Sequence, residues 1–326
     1  MIDWLRKIDG FGGVNPEPAS ADASFRRYFR LQVGQESFIA MDAPPGQEDC
    51  TQFLRVAGYL EAMQLNAPRV IEADNEQGFL LLTDLGPNQY LTALTDGPES
   101  ADALYADAIR ALATIQSNGV AYQGSLPTYD DQLLRQELSL FHDWLCVAHL
   151  GLSFSAADDA RWKQSCDTLV ANALDQPQVF VHRDYHSRNL MLTEEDNPGI
   201  LDFQDAVEGA LTYDLVSLFK DCYVRWPVER VLEWALDFYS TLDEEIKNQM
   251  DSTQFLRHFE LMGVQRHLKA AGIFARLNHR DGKTGFMADI PRTLRYIVEL
   301  GPKYVELEYI VGLINEHCLP ALEEVP

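Results

Sequence analysis

Apolar and polar residues alternate in the amino-terminal part of the chain with the period of β-strands. From Ser24 to Val33, most apolar residues fall at odd-numbered positions, which predicts a strand. Gly34–Glu36 predicts a turn, and Phe38–Met41 predicts the returning strand. The same patterns predict further elements: a short helix at 1–10, a helix at 51–64, and strands at 68–71 and 79–82.

A polar segment farther along the chain precedes a predicted hairpin. Residues His182–Asn189 read His-Arg-Asp-Tyr-His-Ser-Arg-Asn, and Asp202 follows Asn189 by thirteen positions. Apolar runs on both sides of a polar turn predict two short antiparallel strands. With the turn centred between Glu195 and Asp196, Asn189 would lie directly opposite Asp202, at a Cβ separation of about 4.5–5.5 Å. Both side chains could then reach one magnesium ion.

This pattern matches the catalytic loop and metal-binding carboxylate of kinase-type phosphoryl transfer. Asp184, at the same end of the hairpin, is predicted to accept the proton of the acceptor hydroxyl. Asn189 and Asp202 are predicted to hold Mg²⁺, with ATP as the phosphoryl donor. His182 and Arg183 are expected to brace the loop. Each residue taken alone could serve as a local cap or turn residue, so the prediction rests on the whole set.

The hydrophobic pattern around this segment predicts an α+β protein with a protein-kinase-like bilobal fold. The segment Thr83–Pro87 interrupts the strand pattern, and the chain beyond it is mostly helical. We place the lobe boundary there. Residues 1–83 are predicted to form a small, β-rich nucleotide-binding lobe, and residues 84–326 a large, mainly helical catalytic and substrate lobe.

Composition and charge limit the kinds of partner that we expect for the protein. The formal net charge of −24 argues against nucleic acid, because a phosphate backbone attracts basic surfaces. No apolar run approaches the ~20 residues of a membrane helix, and the first residues do not resemble a signal peptide, so we expect a cytoplasmic protein without a membrane partner. The five scattered cysteines favour reduced thiols rather than a zinc site. The sequence does not specify an oligomeric state.

Two details of the motif identify a family resemblance. His186 follows Asp184 by two positions, and Gln204 follows Asp202-Phe203 where protein kinases carry glycine. These features resemble the aminoglycoside phosphotransferase family of small-molecule kinases. A protein kinase is disfavoured because no Ala-Pro-Glu segment follows. The resemblance implies supporting roles for His186 and Asp214, and an adenine-facing segment that consists of Leu82, Thr83, Asp84 and Leu85.

Within that family, several segments resemble the amino-sugar kinases of cell-wall recycling. That resemblance implies phosphorylation of the anomeric hydroxyl of N-acetylmuramate and N-acetylglucosamine, a role in peptidoglycan recycling. The segments are Leu201–Ala206, Tyr213–Leu218, Lys220–Tyr223, Trp226-Pro227 and Gln265–Leu277.

Two parts that the family normally has are missing. The small residues of Ala19–Ser24 stand where a glycine-rich loop is expected, and Phe38–Pro45 lacks the usual phosphate-binding lysine. Arginine can replace lysine because its planar fork binds phosphate oxygens. The candidate cations are Arg26, Arg27 and Arg30, with Arg30 preferred, and a charged strand edge is the alternative.

The candidate substrate residues form one face of a predicted helix, together with a tryptophan that follows Tyr223. Gln265, Lys269, Gly272 and Arg276 follow the spacing of one helix face, which could hold an anionic or amide-bearing sugar or be a solvated surface. Trp226 could stack on a sugar ring or serve in packing.

Three other functions remain as alternatives. An aminoglycoside or amino-alcohol O-phosphotransferase would use the same residues and would suit the acidic chain, since its substrates are cationic. A nucleotide-binding pseudokinase that acts as a regulatory module would explain the missing lysine and glycines. A protein kinase is the third alternative.

Overall fold

The computed structural model describes residues 1–21 and 25–323. The chain forms two compact units, Met1–Tyr122 with Ser187–Ala206, and Gln123–His186 with Val207–Pro326. The sequence-based boundary falls at the end of a strand, at Thr83, whereas the first unit continues to Tyr122 and takes up a later segment. The division into 1–83 and 84–326 therefore stays a prediction.

The β-strands in the amino-terminal part of the chain agree with the predicted pattern. Ser24, the first residue of the predicted strand at 24–33, lies outside the described residues. The predicted strands at 24–33, 38–41, 68–71 and 79–82 all have counterparts. The first strand and the pair that includes Gln178–Val181 were not predicted. The strands are β1 (Glu17–Ala21), β2 (Arg27–Val33), β3 (Glu36–Asp42), β4 (Val70–Asp74), β5 (Phe79–Thr83), β6 (Gln178–Val181), β7 (Leu190–Met191), β8 (Gly199–Ile200) and β9 (Val207–Ala210).

Most of the helices come after β5, as the sequence pattern predicts, and α1 and α2 come before it. Short 3₁₀ helices cover Pro98–Ser100, Thr284–Asp289, Gly301–Lys303 and Val305–Leu307, and π-helical stretches cover Phe141–His149 and Ile314–Cys318. The α-helices are α1 (Ile2–Leu5), α2 (Cys50–Ala62), α3 (Tyr90–Asp96), α4 (Ala101–Asn118), α5 (Val120–Gln123), α6 (Asp131–Leu140), α7 (Ala156–Leu174), α8 (Tyr213–Phe219), α9 (Val228–Thr241), α10 (Glu244–Gln249), α11 (Ser252–Asp281), α12 (Ile290–Leu300), α13 (Glu308–Leu313) and α14 (Leu319–Glu323).

The first unit is built on an antiparallel sheet with the strand order β1-β2-β3-β5-β4. The period-2 pattern buries one side chain from each central strand, namely Leu31, Ala40 and Leu81, in a cluster with Trp4 and Leu5 of α1. The predicted small-residue loop at 19–24 falls partly on β1, and Asp22–Ser24 lie outside the described residues. Burial of the inner face therefore holds β2 and β3 in register, and β2 carries the candidates Arg27 and Arg30.

The hairpin β7–β8 belongs to the first unit, and its register differs from the prediction by one residue. Leu190 pairs with Ile200, and the Leu201 amide donates to the carbonyl of Asn189 at 2.9 Å. Asn189 therefore lies opposite Leu201 rather than Asp202. The difference arises because the turn is centred on Glu195 rather than between Glu195 and Asp196. The second strand ends before Asp202, whose φ of 61° is left-handed.

The second unit is organised around α11, which packs against α6, α7, α8, α9 and α12. Its start is defined by Asp251, whose carboxylate accepts from the amides of Thr253 and Gln254 while the Gln254 side chain accepts from the Asp251 amide. Gly272 lies against the backbone of residues 140–141, where an added Cβ would be 2.3 Å from the Leu140 carbonyl carbon. A glycine at this position lets α11 approach the end of α6 closely.

Candidate active site

Asn189 and Asp202, the two predicted metal ligands, lie together in the first unit. Asn189 Nδ2 donates to Asp202 Oδ2 at 3.2 Å, and Gln204 Nε2 donates to Asp202 Oδ1 at 2.7 Å. Phe203 is fully buried, and its ring lies 4.8 Å from that of Phe53 on α2. The buried phenylalanine fixes the chain just after Asp202, and the left-handed backbone turns the carboxylate toward Asn189.

These two side chains offer the donor atoms that magnesium prefers. Mg²⁺ takes oxygen ligands and is usually bound by one or two carboxylates together with substrate phosphates. Each Asp202 oxygen accepts a side-chain hydrogen bond, and a carboxylate oxygen has two lone pairs, so it can bind a cation as well as a donor. Among residues 1–21 and 25–323, no group of three or more His, Cys, Asp or Glu side chains could hold a metal alone. One carboxylate and one amide oxygen fit a Mg²⁺ ion that is shared with a phosphate ligand.

Arg26 is the most enclosed of the three candidate phosphate-binding arginines. Its Nη2 lies 3.0 Å from Oε2 of Glu48, and the two side chains are 10% and 12% exposed. Burial lowers the pKa of Arg26, but Tyr28, Glu48 and Asp202 outweigh it and raise the pKa above its ordinary value. The guanidinium thus stays charged within the electrostatic reach of the candidate metal carboxylate.

The other two arginines have carboxylate partners of their own. Arg27 pairs with Asp42 across β2 and β3, and its side chain is 63% exposed. Arg30, the preferred candidate, binds Asp84 through two nitrogens, with Nε 2.5 Å from Oδ2 and Nη2 3.1 Å from Oδ1. It also donates to the carbonyl of Gly86 at 3.2 Å. Arg30 and Asp84, which the sequence assigned to different parts of the nucleotide, therefore bind each other. A phosphate role for Arg30 or Arg27 stays a prediction.

The predicted adenine-facing segment continues from the end of β5. Leu82 is buried, and the Thr83 hydroxyl accepts from the amide of Arg69 at 2.9 Å. Asp84 accepts from the amide of Gly86 at 2.9 Å, while the Leu85 side chain lies close to Gly199. The side chains of Thr83 and Asp84 thus stabilise the segment itself, and its contact with adenine stays a prediction.

Asp184, the predicted general base, lies in the second unit on a loop that is held by Asp214. The fully buried Asp214 carboxylate accepts from the amides of His182 at 2.6 Å and Arg183 at 3.0 Å. Burial raises the pKa of Asp214 to about 7, although these two hydrogen bonds oppose the rise. His182 Nδ1 accepts from the Asp184 amide at 3.3 Å. In the described loop, His182 and Asp214 therefore contact the backbone on both sides of Arg183.

Positive charge surrounds Asp184 within the same unit. Burial opposes ionisation of its carboxyl group, but Lys269, His186, Arg266 and Arg183 outweigh it and lower the pKa of Asp184. The carboxylate is therefore ionised at neutral pH. An ionised carboxylate can accept or orient the proton of a hydroxyl group.

Sequence reasoning missed two of the residues around this loop, Arg266 and Glu137. Arg266 is 6% exposed, and its Nη1 lies 3.9 Å from Sγ of Cys222, while its buried Nε has no hydrogen-bond partner in the described part of the chain. Arg266 directly follows Gln265, which belongs to the helix face that the spacing selected. Glu137 is 5% exposed, and its local sequence on α6 carries no catalytic pattern. Its contacts with Arg183 and Lys269, which are distant in sequence, distinguish it.

The helix face that was selected from spacing is not a solvated surface. Gln265 and Lys269 are 0% and 7% exposed, so this alternative is wrong for them. Lys269 Nζ lies 3.0 Å from Oε1 of Glu137 and 2.9 Å from the hydroxyl of Tyr213. Arg276, farther along the same face, is half-buried. Internal partners occupy the buried part of this face, and sugar binding by these residues stays a prediction.

The remaining candidates, Trp226 and His186, both lie in aromatic contacts. Trp226 is buried, with Trp234 at a ring distance of 5.7 Å and the Arg230 guanidinium 5.0 Å above its ring. These contacts are the packing role that was the alternative to sugar stacking. His186 is also buried, and its ring meets Tyr223 edge-on at 5.4 Å, which fits support of the loop.

A comparison with models of protein families shows the family to which the chain belongs. Residues 16–250 match the model of the phosphotransferase enzyme family, which includes the aminoglycoside phosphotransferases. The chain belongs to this phosphotransferase family. A protein named N-acetylmuramate/N-acetylglucosamine kinase from Pseudomonas aeruginosa is 50% identical over 94% of this phosphotransferase and 92% of the relative. A relative of the same name from Neisseria meningitidis is 40% identical, over 97% and 94% of the two chains.

Solved structures confirm the expected fold class. A choline/ethanolamine kinase family protein from Mesorhizobium loti has a TM-score of 0.63 at 14% identity, over 95% of this phosphotransferase and 97% of that chain. Choline kinase from Cryptosporidium parvum has a TM-score of 0.62 at 13% identity, over 99% and 98% of the chains. In the described residues, no helix combines the length and apolar character needed to span a bilayer.

Proposed function

We propose that this phosphotransferase is an ATP- and magnesium-dependent kinase that phosphorylates the anomeric hydroxyl of N-acetylmuramate and N-acetylglucosamine. The observation that carries the proposal is the 50% identity to a relative of that name over nearly the whole chain. Relatives from four bacteria share the name. The anomeric position and a place in cell-wall recycling follow from the subgroup resemblance, and the five free cysteines are consistent with a cytoplasmic location.

In the proposed reaction, the anomeric oxygen of the sugar forms a bond to the γ-phosphorus of ATP. The bond from that phosphorus to its bridging oxygen breaks, and ADP leaves with the electron pair. Asp184 orients the hydroxyl group and accepts its proton. The lowered pKa of this carboxyl group keeps it ionised at neutral pH, so it can orient the hydroxyl group as a hydrogen-bond acceptor while the bond to phosphorus forms.

Asn189 and Asp202 are the residues that would hold Mg²⁺ in this reaction. The bound metal neutralises negative charge on the ATP phosphates. The hydrogen bond from Gln204 holds one Asp202 oxygen in place, and the contact between Asn189 and Asp202 keeps the two side chains within reach of one ion.

Arg26 is the residue that we propose in place of the absent lysine. Its enclosed guanidinium beside Glu48 supplies a fixed positive charge, and its electrostatic interaction with Asp202 is consistent with a phosphate nearby. An arginine in such an ion pair can take the place of the lysine, because its guanidinium binds phosphate oxygens. This weakens the motive for the pseudokinase alternative. We further propose that the backbone of Leu82–Leu85 contacts adenine.

The test is magnesium-dependent ADP release across N-acetylmuramate, N-acetylglucosamine, kanamycin and choline, with a control that lacks any acceptor. We expect turnover with both amino sugars and a product whose reducing end is blocked. Turnover with kanamycin alone would favour the antibiotic kinase, which the net charge of −24 suits. ATP binding without turnover on any acceptor would favour the pseudokinase.

A further inference from the structure

The catalytic loop of the second unit contains a strained residue directly before Asp184. Arg183 has a φ of 78°, in the left-handed region that non-glycine residues rarely adopt. Such a conformation persists only where the surroundings hold it in place. Asp214 holds the backbone through the amides of His182 and Arg183. Since Asp184 follows immediately, the direction of its side chain depends on the conformation of Arg183.

The side chain of Arg183 is held separately, by Glu137 of α6. Arg183 Nη2 donates to Glu137 Oε1 in a salt bridge whose partners are 18% and 6% exposed. The guanidinium carbon also lies 5.4 Å from the centre of the Tyr129 ring, and the Tyr129 hydroxyl donates to the other Glu137 oxygen. Glu137 and Tyr129 thus enclose the Arg183 head group.

Glu137 also ties the loop to α11. Lys269 Nζ lies 3.0 Å from Glu137 Oε1, and Gln265 Nε2 lies 3.4 Å from Oε2. Burial raises the pKa of Glu137, but the charges of Lys269 and Arg183 outweigh it and lower the pKa, so the carboxylate is ionised. One buried carboxylate therefore connects α6, the catalytic loop and α11. Removal of this carboxylate would disturb all three elements, because the members of a buried polar network depend on one another.

We propose that Glu137 is a positioning residue for phosphoryl transfer, which acts by fixing the side chain of Arg183 and thereby the left-handed turn that presents Asp184 to the acceptor hydroxyl. The inference rests on the proposed kinase function. Glu137 does not touch the reacting atoms. Asp214 holds the backbone of Arg183, and Glu137 holds its side chain, so the loop has two independent attachments.

The test compares Glu137→Gln with Asp131→Asn, which alters an exposed carboxylate of the same helix. The acceptor is whichever compound the wild type phosphorylates, and rates are normalised to the concentration of ATP-binding sites. We expect Glu137→Gln to lower kcat on the order of 10- to 10²-fold, because small displacements of a catalytic group cost this much. The KM values for ATP and acceptor should stay within about threefold of wild type, as for a contact that acts in the transition state. Asp131→Asn should match the wild type.

A double-mutant cycle with Arg183→Met separates positioning from general support of the fold. If Glu137 acts through Arg183, adding Glu137→Gln to Arg183→Met should lower kcat by less than about twofold. An unchanged kcat in Glu137→Gln, or a full additional loss in the double variant, would overturn the inference. If Glu137→Gln does not fold, Glu137→Asp is judged by the same criteria, since it keeps the charge and shortens the reach. A wild type that phosphorylates no acceptor would instead contradict the proposed function.

Discussion

Asn189 and Asp202 hydrogen bond to each other through their side chains at 3.2 Å, although they are not opposite each other in the hairpin. The pairing of Leu190 with Ile200 would place their side chains on opposite faces if β8 continued, because strand side chains alternate. The left-handed backbone at Asp202 ends the strand and brings its carboxylate back to Asn189. The contact between them therefore depends on one backbone conformation.

The first prediction concerns the metal pair. Asp202→Asn should abolish most turnover and Asn189→Ala should raise the magnesium concentration needed for half-maximal rate, since each removes an oxygen ligand or its support. ADP release measured against magnesium concentration checks both. Asp9→Asn alters an exposed carboxylate of the same unit and serves as the control. Normal magnesium dependence in both site variants would contradict the assignment. In the wild type, a chelator should stop turnover and excess Mg²⁺ should restore it.

The second prediction concerns the general base. Asp184→Asn should lower kcat on the order of 10²–10⁴-fold, the usual contribution of a positioned general base. Its affinity for ATP should remain similar, because the variant keeps the shape of the side chain. Steady-state kinetics measures kcat, and titration with ATP in the absence of acceptor measures the affinity. A variant with near-normal kcat would show that another group takes the proton.

The third prediction separates the three arginines. Arg26→Gln should raise the KM for ATP by about tenfold or more, because a hydrogen bond to a charged group contributes about 1.5–3 kcal/mol. Arg27→Gln should leave the KM for ATP within about twofold, since an exposed ion pair contributes little. Arg30→Gln should mainly lower stability, because it leaves the Asp84 carboxylate, whose side chain is 3% exposed, without its partner. A larger ATP effect in Arg30→Gln than in Arg26→Gln would reverse our assignment.

The fourth prediction uses two glycines of α11 as a matched pair. Gly272→Ala should destabilise the protein by about 3 kcal/mol or prevent folding, because overpacking against a fixed backbone is costly, and its Cβ would lie 2.4 Å from the Phe141 amide nitrogen. An alanine Cβ at position 263 would meet Lys220 at an ordinary 3.6 Å. Gly263→Ala should therefore be neutral or gain up to about 1 kcal/mol from helix propensity. Urea denaturation measures both, and equal midpoints would be contrary to the close packing.

The fifth prediction concerns the pH dependence of stability. His267 is 1% exposed, and its Nε2 donates to the Lys220 carbonyl at 2.8 Å. Burial, with the charges of Arg266 and Lys220, lowers the pKa of His267 from 6.5 to about 3. The folded protein therefore keeps this histidine neutral while the unfolded chain takes up a proton below pH 6.5. The stabilisation is complete above the unfolded pKa and is lost as pH falls toward 3, by up to about 1.4 kcal/mol per pH unit.

His267→Gln, which keeps an N–H donor, should flatten the loss of stability on acidification. His317→Gln alters an exposed histidine and should retain the wild-type slope. Denaturation midpoints between pH 7.5 and 5 measure the difference. Identical slopes in the two variants would mean that His267 does not stay neutral in the folded protein.

Much of the first unit could be predicted because its signals are local. The alternation in β2 and β3 and the spacing in α2 reflect which side chains each element must bury. The strand β1 was missed because its sequence, Glu-Pro-Ala-Ser-Ala, has no such alternation. It is a strand through its antiparallel pairing with β2. Similarly, Gln265 and Lys269 were placed on one face correctly, but spacing does not distinguish a solvated face from one that is covered by α6.

The sequence by itself determined the family, the fold class and the identity of the three residues proposed for chemistry, because these depend on residue types at short fixed spacings. Only the tertiary structure decided that Arg30 is held by Asp84, that Arg26 is enclosed with Glu48, and that Glu137 joins Arg183 to Lys269. The partners in these pairs are separated by at least 22 positions in the chain. No local pattern encodes such a pairing, since it arises when packing of separate elements buries a charge that must find an opposite charge nearby.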